Sequence, residues 1–264
     1  MFTGDGEPSS HQDQVIEELR DNHAGCLRQI ESLKREIEGS AAAARDARDE
    51  LEYFVYAASH DLQQPLRAIG THAQLLQREY PNDQRAREFT AVIIEGAAQM
   101  NALIRDLLTY SRTGNVSHPV LMQLNASYQW ALYNVATIIQ ESGARVRCGE
   151  LPEALADEKQ MVAVFEQLLT NAIRYRSAEP PEVEIESATD DQYHTISVQD
   201  NGVGIKPEYH EKVFEPFKRL VSKQIPGSGL GLAICRKILR AHGGRIWVES
   251  DGEHGSRVMF TIPV

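Results

Sequence analysis

The sequence predicts an α-helical N-terminal region followed by a mixed α/β domain, and three observations predict it. Apolar residues keep a seven-residue beat from Ile16 to Ala58, and a second helical periodicity runs from Phe89 to Tyr110. After a cluster of Ser, Gly, Asn and Pro at 111–119, short β-patterned runs alternate with helical ones. With 264 residues and 42% hydrophobic content, the chain has room for two modest domains with cores of ordinary size.

The polar opening, residues 1–11, reads as a flexible N-terminus, and 12–50 as a coiled coil. Ile16, His23, Ile30, Ile37, Ala44, Leu51 and Ala58 form one row of the seam, and Leu19, Cys26, Leu33, Ser40, Ala47 and Phe54 the other. Heptads in phase over this length predict pairing with a second copy. His23, Ser40 and the alanines weaken that seam, and one long amphipathic helix packed on its own domain would give a similar pattern.

The beat enters "AASHDLQQPLRAI" (57–69) unbroken, so His60 is expected on a helix continuous with the coil and running to about Arg78. "EYPND" (79–83) is a tight turn, after which Phe89, Ile93, Gly96, Met100, Leu103, Leu107 and Tyr110 recur at steps of three and four. Residues 51–112 therefore form an antiparallel hairpin. Alone it leaves an apolar stripe in water; two copies would close a four-helix bundle. Residues 113–119 are a linker. In 120–264, helices are expected near 126–141 and 157–175, and strands at "EVEIES", "YHTISVQD", "GRIWVES" and "RVMFTIPV", in an antiparallel-looking sheet.

Charge and composition exclude some partners. With 27 basic and 38 acidic residues the net charge is −11, which argues against nucleic acid and against an anionic membrane surface. There is no apolar run of spanning length and no basic, apolar leader, so a cytoplasmic protein is expected. Cys26, Cys148 and Cys235 are odd in number and far apart, which suits reduced thiols better than a disulfide framework or a zinc site.

Three clusters in the second domain carry chemistry. "LLTNAIRYR" sets Asn171 on a helix with Arg174 and Tyr175 three and four residues on; a carboxamide oxygen suits Mg²⁺ and a guanidinium suits phosphate, although a solvated helix face would look the same. "QDNGVGI" ends a strand with Asp200, Gly202 and Gly204. It is a plain turn, or a carboxylate that accepts a ligand's N–H beside backbone that a ligand can approach closely. "PGSGLGLAI" places Gly227, Gly229 and Gly231 at the start of a helix, where backbone amides face anions.

Taken in order, "SHDLQQPLRAI", "LLTNAIRYR", "DNGVGI", "FEPFKRL" and "GSGLGLAICRKILRAHGG" resemble the H, N, G1, F and G2 boxes of two-component sensor histidine kinases. "RYRSAEPPEV" and "HGGRIWVES" are similar to the branch of phytochromes and PAS-linked kinases. The resemblance covers about residue 50 to the end. It implies a dimerisation and phosphotransfer hairpin followed by an α/β sandwich of the gyrase type that binds ATP and Mg²⁺. His60 would accept the phosphoryl group, Asp61 would orient its imidazole, and Pro65 would weaken the helix beside it. Asn171 would hold Mg²⁺, Asp200 the adenine, and Gly202 and Gly204 the loop beneath it. Gly227, Gly229 and Gly231 would hold the phosphates, with Arg174, Tyr175, Lys218 and Arg219 as lid and phosphate contacts. The partners implied are a second copy of the chain and the receiver domain of a response regulator.

Departures from the family's pattern bear on activity. Gln167 stands where these kinases usually have asparagine, so a non-catalytic signalling scaffold is the alternative reading. A gyrase-type hydrolase would place a glutamate there. Gln64 replaces the usual Thr or Asn four residues after the histidine, which leaves phosphatase activity open. "KRLVSKQIP" makes a short lid. Only about a dozen residues precede the coil, so the input is expected from a separate or removed sensor domain, or through the coil itself.

Overall fold

The structure, a computed structural model, describes residues 54–114, 116, 119–220 and 227–264, with isolated positions between 23 and 40. The chain divides into two units, Met1–Phe54 and Val55–Val264. In the first, every described position is helical, and Leu33 is 52% exposed. Most of the heptad, including Ile16, Leu19, Ile30, Ile37 and Leu51, lies outside the described residues, as does the flexible N-terminus.

In the second unit, helix α1 is continuous from 55 to 79 and passes through Pro65 without interruption. Proline has no N–H, so the carbonyl of Asp61, four residues earlier, lacks its helical partner. A turn at 80–83 leads into α2 (Gln84–Arg112), which is capped by Asp83 accepting from the Ala86 amide at 3.1 Å. Small residues bring the two helices together: Ala73 and Ala97 are buried, and a Cβ added to Gly70 would meet that of Ala97 at 3.7 Å. Leu66 of α1 is buried as well. The opposite stripe is left in water, with Leu62 at 56%, Ile69 at 48%, Phe89 at 68% and Met100 at 46% exposure.

The α/β part begins with β1 (Val120–Gln123), α3 (Leu124–Asn134), α4 (Ala136–Ser142), β2 (Arg145–Cys148), β3 (Glu153–Ala156) and α5 (Glu158–Arg174). It continues through β4 (Glu182–Thr189), β5 (Tyr193–Asp200), α6 (Gly231–Ala241), β6 (Ile246–Glu249) and β7 (Ser256–Pro263). β1 pairs with β3, and the main sheet has the order β2-β4-β5-β7-β6. The expectation of a purely antiparallel sheet needs correction, because β2 runs parallel to β4. The connection between them contains α5, and a crossover helix is what parallel neighbours require. The helix expected near 126–141 is likewise two helices, broken at Val135 (φ −98°, ψ 7°).

Alternation in β4, where Val183 and Ile185 face inward and Glu182, Glu184 and Glu186 outward, makes one face of the sheet apolar. Helices α5 and α6 cover it. Phe165 of α5 sits edge-on to Tyr128 of α3 and to Phe260 of β7, with ring centroids 6.0 and 5.9 Å away. Cys235 is buried in this core and Cys148 half-buried, both as free thiols that burial pushes up to about 12 and about 11. Cys26 lies outside the described residues. No described helix is long and apolar enough to cross a membrane.

Candidate functional site

A cleft opens where the C-terminal end of α5, the end of β5, the start of β7 and the N-terminus of α6 meet. Its inner part is apolar, walled by Leu168, Ala172, Val198, Ile205, Val213 and Val258, and holds one carboxylate, Asp200. One oxygen of Asp200 accepts the amides of Gly202 at 2.8 Å and Ser256 at 3.2 Å. Its other oxygen has no protein partner among the described residues. Burial raises its pKa to about 6, against the lowering effect of those two amides. The inner part thus presents one acceptor among apolar walls, a setting that suits an apolar group bearing an N–H donor.

The turn after β5 needs its glycines. A Cβ on Gly202 would lie 2.4 Å from the Tyr175 carbonyl, the acceptor of the Val203 amide at 3.0 Å. Gly204 has φ +74°, with the backbone of Gly252 and Glu253 within 3 Å of any added Cβ.

The outer part of the cleft is polar. Asn171 lines both parts, and its carboxamide makes no protein hydrogen bond among the described residues. Gln167, Arg174, Tyr175, Gly227, Gly229 and Gly231 join it. Gly231 opens α6, and Gln167 Oε1 would be 2.4 Å from a Cβ there, so the glutamine amide and the start of the helix are in close register. Helix N-terminal amides and a guanidinium are groups that could hold an anion, and the two carboxamide oxygens could hold a hard cation.

Lys218 and Arg219 line neither part; both are exposed, and Lys218 turns to Glu215 at 4.0 Å. They precede 221–226, which lie outside the described residues. Glu166, one residue from Gln167, faces elsewhere: it accepts from Asn134 and lines a separate surface recess with Trp130. His60 is also outside the cleft, exposed on α1, with Nδ1 3.4 Å from Asp61 Oδ1.

Sequence reasoning overlooked Ser256, which shares Asp200, and Asp106 of α2, which lines the polar recess. "DGEHGS" before the last strand is the local signal for Ser256, a tight turn that ends on it. Nothing local marks Asp106.

Two family models match this chain. The His Kinase A (phospho-acceptor) domain covers 50–115, and the Histidine kinase-, DNA gyrase B-, and HSP90-like ATPase covers 156–264, so one holds His60 and the other the cleft. The chain belongs to the two-component sensor histidine kinases. Cyanobacterial phytochrome A of Nostoc sp. (strain PCC 7120 / SAG 25.82 / UTEX 2576) is 39% identical over 219 residues, a match covering 81% of this kinase chain and 29% of that protein. The chain spans 29–34% of the first curated relatives it matches. Full-length ShkA in complex with AMPPNP shares the fold with TM-score 0.61 and 24% identity, covering 79% of this kinase chain and 45% of that one. Histidine kinase ThkA in complex with the response regulator protein TrrA does so with TM-score 0.55 and 24% identity, covering 78% and 60%.

Proposed function

We propose that this histidine-kinase core binds ATP with Mg²⁺ in the cleft, phosphorylates His60, and passes the phosphoryl group to an aspartate on the receiver domain of a response regulator. The observation that carries the reading is the division of the cleft into an apolar slot with one carboxylate and a polar recess lined by amides and a guanidinium. Asp200 takes the adenine amino group, and Gly202 and Gly204 keep the backbone low beneath the ring. Arg174, Tyr175 and the glycines of the loop before α6 hold the phosphates. Lys218 and Arg219 act from the lid.

Asn171, with its carboxamide uncommitted to protein, fits Mg²⁺, and Gln167 stands beside it as a second amide oxygen. When bound, the ion supplies charge neutralisation at the phosphates. Asp61 holds the imidazole proton on Nδ1, leaving the lone pair of Nε2 to attack the γ-phosphorus. A P–N bond forms, the bond to the β,γ-bridging oxygen breaks, and ADP leaves with that electron pair. The Nδ1 proton of the resulting imidazolium is shared with Asp61. Among the described residues no glutamate lines the cleft in the place a gyrase-type hydrolase would use, which disfavours simple hydrolysis.

Incubation with γ-labelled ATP and Mg²⁺ tests this. Acid-labile, alkali-stable label on the protein is expected; free phosphate without protein labelling would overturn the reading. Gln167→Asn shortens the amide that crowds Gly231 and should raise Mg²⁺-ATP affinity a few-fold, on the order of 1 kcal/mol. Lower affinity in calorimetry would mean that the site is built around glutamine.

The active form is proposed to be a homodimer, through the coil and the exposed stripe of the hairpin. Each large apolar side chain covered there contributes roughly 1.5–3 kcal/mol. Sedimentation velocity at micromolar concentration should give a dimer; a monomer would remove this explanation of the heptads. The receiver-domain partner is supported by the ThkA–TrrA complex, a structure of similar fold.

A further inference from the structure

The C-terminal end of α2 reaches into the cleft. Asp106 lines the polar recess together with Gln167, Asn171, Arg174 and Gly231. The next turns are fastened down: Leu107 and Tyr110 pack on the core of the α/β part. Lys237 of α6 donates from Nζ to the carbonyls of Tyr110 at 2.6 Å and Ser111 at 3.3 Å, and lies 4.7 Å over the Tyr110 ring. A cation at the last carbonyls of a helix is also favoured by the helix dipole. Gly114, at φ +108°, lets the chain pass close to this lysine, since a Cβ there would meet Lys237 Cε at 2.9 Å.

A carboxylate at this place carries the same sign as the phosphates that the recess would hold, and it competes with them for the guanidinium and amides around it. Asp106 makes no hydrogen bond or ion pair among the described residues, although Arg174 lines the same recess. We propose that the docked end of α2 is an autoinhibitory contact in which Asp106 repels the nucleotide's phosphates, so that docking of α2 and phosphate binding compete. The inference rests on the reading of the cleft as an ATP site. Competition is reciprocal: whatever loosens the docked end tightens phosphate binding, and phosphates entering the recess release the helix that continues the His60 hairpin. Like charges in a partly desolvated recess repel more strongly than in bulk water, which gives Asp106 its leverage.

Calorimetry on the full chain, with Mg²⁺-ATP and with adenosine as probes, tests the proposal. Asp106→Asn should bind Mg²⁺-ATP about fivefold tighter or more, and adenosine within about twofold of wild type. Lys237→Met, which loosens the docked end without altering the recess charge, should also tighten Mg²⁺-ATP. A purely structural role for Asp106 would move both probes together and would overturn the proposal. Weaker Mg²⁺-ATP binding by Asp106→Asn would make the carboxylate a metal ligand, which also overturns it. Wild type that binds both probes while Asp106→Asn leaves Mg²⁺-ATP affinity unchanged defeats this inference alone; wild type that binds neither defeats the ATP reading beneath it.

Discussion

Replacing His60 by glutamine should abolish acid-labile phosphorylation while leaving ATP affinity within about twofold, less than 0.5 kcal/mol. The reason is spatial separation. His60 is exposed on α1, has Asp61 at 3.4 Å as its one side-chain hydrogen-bonding partner among the described residues, and lines neither part of the cleft. Glutamine keeps the helix, as a good helix former in an exposed position, but its amide nitrogen has no available lone pair for phosphorus. Labelling with γ-labelled ATP reads the first effect and calorimetry the second. Label retained on the variant would assign the acceptor to another residue; lost ATP binding would mean that α1 supports the cleft.

Asp200→Asn should weaken ATP binding by at least about 30-fold, the equivalent of about 2 kcal/mol, because a charged acceptor is lost and a donor can face the adenine amino group in its place. The pH dependence follows from the same carboxyl. Its pKa is raised to about 6 by burial, so the folded protein without ligand holds this proton more tightly than the unfolded chain, whose value is near the ordinary 3.8. Stability from this group is complete below about 4 and is lost as pH rises to about 6. At neutral pH the buried charge is therefore a cost, and the unliganded Asn variant should melt at the same or a higher temperature than wild type. Binding runs the other way, since the adenine amino group is held best by the ionised form. Adenosine, which has no phosphate to titrate, should bind wild type more weakly as pH falls below about 6, and the Asn variant should show no such dependence. Flat affinity across that range in wild type would exclude Asp200 as the adenine contact.

Much of the hairpin was legible because its signals are local. Asp83, the N-cap, lies within "EYPND", and the beat from Phe89 to Tyr110 marks α2 as a helix, although Phe89, Ile93, Met100 and Leu103 lie exposed and the buried positions are Thr90 and Ala97. β5 and β7 were legible for a related reason: eight residues allow alternation to show. β1, β2 and β3 have four residues each and went unread, whereas β6, equally short, was picked out by the Ile, Trp and Val of "GRIWVES". The parallel placing of β2 was also out of reach, since a strand's own residues do not name its partner.

The cleft divides in the same way. Asn171, Asp200 and the glycines could be picked out because each sits in a run whose spacing already implies a helix face or a turn. The sequence by itself determined which residue types are offered at those points. Only the tertiary structure decided what those residues experience. Asp200, at the end of β5, owes its raised pKa to burial, and its second amide comes from Ser256 of the neighbouring β7, 56 positions away in the chain. The Lys237 contact that holds Asp106 at the recess spans 127 positions. Proton affinity and docking are set by desolvation and by long-range contacts, and the pattern of neighbours along a chain carries no record of which distant segment will supply them.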